Sequence, residues 1–430
     1  MSDNKLGQFF GMFEPQTFAG GNFHFIGSLA NVCVVNTDDG LVIFDIGSER
    51  FGPMIFAAVR EFSEKPVKYI VLSHGHFDHA FGFAPFYKEV EEKGWEPPKV
   101  IAHRNIVQRF EKYRMLDEYH AWINDMQFSS VIGGLGGGKS GVSAGQTLTP
   151  DILIRESETY TFTLGQYTFE IYPEYGETDD HLWMHVPEAK VICAGDMYLS
   201  CFPNVGNPYK VQRYPKHWAE GLDRMATKDA DYLAPGHGVL IEGKERVADM
   251  LATVSEALHF VHDEVVKRLN QHMWFEDIFH EMMDIFPEKF KQSEWLQPVY
   301  GCFEYAIHAT YRLYHGWYNS GNPTDLFPAR ASEIAREVLE LLGPGGPDKI
   351  IQHASDLLGA GNAQLALHVL DYVINGIDPG DKETFKAAMD LKIKALKKRA
   401  AGVPSMISKN IYTNNAKELQ QRKKDLERES

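Results

Sequence analysis

The sequence predicts an α/β fold, a sandwich of two β-sheets with helices outside, followed by an all-α helical region. Three observations lead there. Up to about residue 240, short β-branched runs alternate with helical periodicity; the runs form two sets, divided by a long Gly/Ser stretch; and after His237 strand signals give way to periodic apolar residues. A chain of 430 residues can bury one large core and a smaller one. The expected division is 1–243 for the sandwich, 244–403 for the helical domain and 404–430 for a tail.

The first set of runs is NFHFIG, NVCVVNT and GLVIFDIG between residues 22 and 47, with Gly, Asn and Asp turns between them. A helix follows at about 52–63, then the buried strand KYIVLS (68–73), a strand at 99–103 and a helix at 105–126. Residues 129–150, SSVIGGLGGGKSGVSAGQTLTP, form a loop too long to be mere connection. The second set is ILIRE, YTFTL, YTFEIYPE, HLWMHVP and KVICAGD. Helices are expected at 247–271, 299–314, 329–342, 347–359, 363–375 and 382–399, punctuated by GNP, GPGGP, GAGN and GIDPGD. Beyond Pro404, QQRKKDLERES suits a solvated helix end or a disordered tail.

A formal charge of −16 argues against a nucleic-acid or anionic-membrane partner, which would want a basic face. Cys33, Cys193, Cys201 and Cys302 are scattered, without CxxC spacing, and read as reduced thiols. The first twenty residues lack a basic start and an unbroken apolar run, and no stretch is long and apolar enough to span a bilayer. A cytoplasmic protein is the resulting expectation.

SHGHFDH at 73–79 places His74, His76, Asp78 and His79 just beyond a buried strand, at the sheet edge where α/β proteins build sites. Imidazole and carboxylate together suit zinc and related divalent ions. In a tight turn His74 and His76 can face one ion while Asp78 and His79 reach a second. Further ligands must come from other strand ends. CAGD offers Asp196, a candidate bridge between two ions, and PGHG offers His237. Singly each is a common turn, and Asp196 could instead cap a helix.

HGHFDH, an acid after CAG, and PGHG, in that order, resemble the metallo-β-lactamase superfamily. The resemblance implies an αβ/βα sandwich with a two-metal site at its edge. FDIG at 44–47 is similar to the family's early Asp-x-Gly, which would set Asp45 beside the ligands; a turn-forming Asp is the alternative. Many members carry a His where this chain has Glu177, nineteen positions before Asp196 in GETDDH. Glu at that position is a feature of the alkylsulfatase branch. Asp179, Asp180 and His181 compete with Glu177 for the role, and His181 occupies the place of a structural His.

Residues 133–140, GGLGGGKS, satisfy the P-loop expression, but SGVSAGQ follows where a helix should begin, so nucleotide binding is not expected. The loop instead resembles a Gly- and Lys-containing loop of alkylsulfatases. YGCFEYAIHATYRLYHGWYNSGNPTDLFP (300–328) and the helices after it resemble the alkylsulfatase dimerisation domain, which implies a homodimer. Members usually continue into a sterol-carrier-like domain, and many are exported; this chain shows neither feature. Tyr305 stands where members have a His thought to act as acid, with His308 one turn later.

The chemistry implied is hydrolysis by a metal-bridging hydroxide between two divalent ions, Zn2+ by ligand type, held by His74, His76, Asp78, His79, Glu177, Asp196 and His237. Asp78, Tyr305 and His308 are the candidate catalytic groups. Lys210 and Arg213, in NPYKVQRYPKHW, could hold an anionic sulfate ester, a solvated basic loop being the alternative. The expected substrate is a sulfuric ester such as an alkyl sulfate. Another ester, a lactone or a thioester, or a di-iron redox role, are the competing readings.

Overall fold

The computed structural model describes residues 14–129, 147–378 and 380–428. They divide into two compact units, 14–121 with 147–319, and 122–129 with 320–428. The Gly-rich segment that carries GGLGGGKS lies outside the described residues.

In the first unit, seven strands form one sheet in chain order: β1 (Gln16–Phe18), β2 (Phe23–Ile26), β3 (Val32–Thr37), β4 (Gly40–Phe44), β5 (Val67–Val71), β6 (Lys99–His103) and β7 (Ile152–Ile154). β1 to β4 pair antiparallel, and β4 to β7 pair parallel with helical crossovers between them. The second sheet contains β8 (Tyr160–Leu164), β9 (Tyr167–Glu174), β10 (His181–Val186), β11 (Val191–Gly195), β12 (Tyr232–Pro235) and β13 (Ile241–Glu242), in the order β13-β12-β11-β10-β9-β8. β4, β10 and β11 are buried along their whole length, as unbroken apolar runs covered on both faces should be.

Three apolar layers hold the unit together. Between the sheets, Phe25, Val35, Val42 and Phe44 meet Phe169, Ile171, Leu182 and Met184. Outside the first sheet, Ile43 and Ile70 pack on Ile55 and Val59 of helix Gly52–Phe62 and on Phe86 and Phe110. Outside the second, Trp183, Ile192 and Leu233 pack on Trp218 and Leu222 of helix Pro215–Ala226 and on Val254 and Leu258 of helix Lys244–Asn270. This is the expected sandwich with helices on both outer faces.

Three features differ from the sequence expectation. Ile152–Ile154, expected to open the second set of strands, instead closes the first sheet beside β6, so the division between the sheets falls after the Gly/Ser stretch and one strand later. The helix expected at 105–126 breaks at Leu116, whose ψ of 27° leaves helical geometry, into Ile106–Met115 and Asp117–Phe128. The compact unit also continues past residue 243. Helices Lys244–Asn270, Phe275–Ile285 and Phe303–Tyr314 bury Leu251, Met282 and Ile307 in the core of the second sheet, so strand signals end well before the unit does.

The second unit is helical: Ala331–Leu342, Gly346–Gly359, Ala363–Gly376, Lys382–Gly402 and Met406–Arg428 surround Ile350, Leu370, Val373, Leu391 and Leu396. Residues 420–428 are the solvated helix end that QQRKKDLERES suits, helical and mostly exposed, but the expectation of a tail beyond residue 403 needs correction for the part before them. Met406–Arg428 is a long helix that buries Ile407, Asn410 and Ala416, and Asn410 Nδ2 donates to the Gln127 carbonyl at 2.6 Å. One apolar residue per turn or two, followed by charge, hides such a packed face in the sequence. Among the described residues no helix is long and apolar enough to cross a membrane.

Candidate metal centre

Four loops meet at one edge of the sandwich. His74 to His79 follow β5, Glu177 lies between β9 and β10, Asp196 follows β11, and His237 follows β12. The seven side chains fall into two groups. Donor atoms of His74, His76, Glu177 and Asp196 lie within 4.8 Å of one another, and so do those of Asp78, His79 and His237.

Asp196 stands between the groups. Its Oδ2 is 3.6 Å from His74 Nε2, while its Oδ1 is 3.3 Å from His79 Nε2 and 3.6 Å from His237 Nε2. His237 Nε2 is also 3.6 Å from Asp78 Oδ2, and His74 Nε2 is 2.7 Å from His76 Nδ1. The backbone around Asp196 admits this closeness only because glycine flanks it. A Cβ on Gly236 would come within 2.0 Å of Asp196 Oδ1, and Gly195 has φ +52°.

The groups behind the donors orient them. Asp45 Oδ2 lies 2.7 Å from His79 Nδ1, which turns Nε2 toward Asp196. Asp45 itself accepts from Ser73 N at 2.7 Å and Ser73 Oγ at 2.8 Å, and Ser73 Oγ is 2.9 Å from His74 Nδ1. Asp45 adopts φ 60°, a left-handed conformation that short polar side chains tolerate. Asp180 fixes the turn between His74 and His76: its Oδ2 accepts from Gly75 N at 2.9 Å and its Oδ1 from Arg109 Nε at 2.6 Å. Glu177 Oε1 accepts from Arg213 Nη1 at 2.6 Å and Asn204 Nδ2 at 2.9 Å, and its Oε2 faces His76 Nδ1 at 3.4 Å.

Electrostatics follow from this crowding in a buried place. Burial pushes the Asp196 carboxyl up, but His79 and His237 outweigh it and hold it below the ordinary carboxylate range. Burial likewise opposes charge on Glu177, and Arg213 with His76 brings it well below that range. His74, buried beside His79 and His76, is driven well below an ordinary imidazole and so is held neutral, the form that offers a lone pair. His79 Nε2 and Asp196 Oδ1 are buried and face each other without a well-formed hydrogen bond. Opposed lone-pair donors at such distances fit cations placed between them.

Of the GETDDH candidates, only Glu177 enters a donor group. Asp179 and Asp180 pair with Arg109, and the His181 ring stacks beside His74 at 5.2 Å between centroids. Arg213 is buried and contacts Glu177 and the Asn204 carbonyl. Lys210, Tyr305 and His308 line a cavity of about 500 Å³, and His308 packs on Phe275 with ring centroids 4.4 Å apart. Sequence reasoning missed Ser73, Arg109, Asn204 and Tyr300. Burial raises the Tyr300 phenol well above its usual range, with the charges of Glu177, Arg213, Asp78 and Asp196 acting on it. Ser73 was legible as the first letter of SHGHFDH; nothing in the sequence distinguishes the other three.

Comparison with known proteins agrees with the fold. Residues 26–237 match the metallo-beta-lactamase superfamily, and residues 275–422 match the alkyl sulfatase dimerisation family. A linear primary-alkylsulfatase of Pseudomonas sp. is 25% identical over 90% of this chain and 73% of its own length. The alkyl/aryl-sulfatase BDS1 of Saccharomyces cerevisiae is 23% identical over 91% of this chain, which spans 62% of that relative. The solved structure of a stereoselective inverting sec-alkylsulfatase, Pisa1 from Pseudomonas sp., superposes with a TM-score of 0.78 at 21% identity, covering 93% of this chain and 64% of that one. Residues 26–237 are therefore a metallo-beta-lactamase superfamily domain, followed by a region that matches the alkyl sulfatase dimerisation family, and the curated relatives of the chain are alkylsulfatases.

Proposed function

We propose that this protein is a hydrolase of sulfuric esters that works with two divalent metal ions. The observation that carries the reading is the position of Asp196, with one carboxylate oxygen toward each of two donor groups. His74, His76, Glu177 and Asp196 would hold one ion, and Asp78, His79, His237 and Asp196 the other. These nitrogen and oxygen donors suit Zn2+. When bound, two such ions lower the pKa of water toward 7 and neutralise charge developing on the ester oxygens.

The chain's own residues do the rest. Asp45 and Ser73 orient His79 and His74, Asp180 and Arg109 hold the turn that carries them, and Arg213 with Asn204 fixes Glu177. Lys112 and Lys210 lie within electrostatic reach of Arg109 and Arg213, a local concentration of cations in a chain of net charge −16. That favours an anionic substrate over a neutral ester. Tyr300 keeps its proton at neutral pH and can donate it to the departing oxygen, a role for which Tyr305 and His308 in the adjoining cavity also stand. A homodimer formed through the region 275–422 and residence in the cytoplasm complete the reading.

The test is sulfate release by metal-loaded protein from a series of alkyl and aryl sulfates, run beside carboxylic esters, lactones and thioesters. Turnover of sulfate esters above the others is expected. Faster hydrolysis of a carboxylic ester, lactone or thioester would replace the substrate class, and native iron with redox cycling would replace the reaction.

A further inference from the structure

The cavity that holds Lys210, Tyr305 and His308 has a composition that the proposed reaction does not require. One wall is the segment 206–212. The other is a single stripe of helix Phe303–Tyr314, where Tyr305, His308, Ala309 and Arg312 recur at the three- and four-residue spacing of one helical face. The walls are close: a Cβ on Gly206 would come within 3.3 Å of Ala309 Cβ. Tyr119 and Tyr209 bring the number of lining tyrosines to three, whereas saturated carbon comes mainly from Pro208, Val211 and Ala309.

The helix gives the cavity a direction. Its start adjoins Gly301, where a Cβ would come within 2.8 Å of the Pro203 carbonyl, and the residue after Pro203, Asn204, donates to Glu177 at 2.9 Å, so the Tyr305 end is nearer the metal centre. Arg312 is seven residues on, a rise of about 10 Å, and lines the cavity as an exposed residue at its other end. Among the described residues no carboxylate forms an ion pair with Arg312. A saturated chain in this cavity would strip water from Arg312, Lys210 and Asn207 and return no hydrogen bonds.

We propose that this cavity receives the leaving group of the substrate and selects an aromatic alcohol bearing a second anion, such as a carboxylate, which Arg312 binds at the far end. The tyrosines offer ring faces to the aromatic part. The inference rests on the sulfuric-ester reading for the identity of the scissile bond, but not for the selectivity of the cavity.

The experiment measures binding of 4-hydroxybenzoate, phenol and 1-hexanol to the metal-loaded full chain by calorimetry, for wild type and R312Q, with kcat/KM for 4-carboxyphenyl sulfate and phenyl sulfate alongside. Binding of 4-hydroxybenzoate about tenfold tighter than phenol is expected, with that ratio, and the matching ratio of kcat/KM, collapsing in R312Q. Equal affinity for phenol and 4-hydroxybenzoate, or tighter binding of 1-hexanol, would overturn it. So would undiminished 4-hydroxybenzoate binding by R312Q, because the carboxylate would then be held by the metal centre. Selective binding lost in R312Q, with no sulfate ester hydrolysed, would support the cavity and overturn the sulfuric-ester reading.

Discussion

Arg213 Nη1 donates to Glu177 Oε1 at 2.6 Å in the interior, so the two oxygens of Glu177 have different work: one is held by Arg213 and Asn204, the other faces His74 and His76. Arg213→Met should leave Oε1 with Asn204 alone and a buried carboxylate short of its counter-charge. We expect metal affinity to fall by about 10–100-fold, as when other groups that orient a ligand are lost. Glu177→Gln should weaken the same ion, and Glu177→His should recover binding better than Gln while leaving activity poor. Competition titration with a chelating dye checks all three, and unchanged affinity in Arg213→Met would show that Glu177 needs no such support.

Asp45 and His79 form a second such pair, 2.7 Å apart, with Ser73 completing the network. Asp45→Asn keeps the shape but can present an amide N–H to His79 Nδ1 where an acceptor is needed. Metal affinity should drop by about 10–100-fold, with Ser73→Ala milder. Unchanged metal content in Asp45→Asn under limiting metal would show that His79 does not depend on Asp45 for its orientation.

Gly236 lies where a methyl group would sit 2.0 Å from Asp196 Oδ1. Gly236→Ala should displace that carboxylate and cost about 1–3 kcal/mol of stability from overpacking, with metal lost in the same variant. Thermal unfolding with and without metal measures both effects. A variant that keeps wild-type stabilisation by metal would show that the loop yields without moving Asp196.

Burial, together with the charges of Arg213, Lys112 and Arg109, brings the Lys210 ammonium down to about 8, with Glu177 opposing. Below that pH the ammonium is charged and attracts an anionic ester; above it the charge is lost. The value of kcat/KM for a sulfate ester should therefore decline as pH rises through about 8. Lys210→Arg, which stays charged, should move that decline out of range, and Lys210→Met should flatten the profile at a low value. An identical alkaline limb in Lys210→Arg would assign it to another group.

The parts of this protein that could be read from sequence are those encoded by near neighbours. HGHFDH concentrates ligand chemistry in six residues, and the strand runs of both sheets fell within a few residues of their observed bounds, because apolar continuity is a local property. Arg109 with Asp180, and Arg213 with Glu177, join residues 71 and 36 positions apart, and nothing local marks either arginine as the partner of a carboxylate in the site. The packing of Met406–Arg428 was hidden for another reason, since its buried residues include Asn410, polar in the sequence and satisfied only by the distant Gln127 carbonyl.

A two-ion site divided by Asp196 is tested most directly by elemental analysis of metal-titrated protein beside its hydrolytic rate. Wild type should saturate at two equivalents of divalent metal per chain, with activity tracking the second equivalent, and Asp196→Ala should lose both metal and rate because neither donor group keeps its shared oxygen. Full activity at one equivalent, or unchanged metal content in Asp196→Ala, would contradict it.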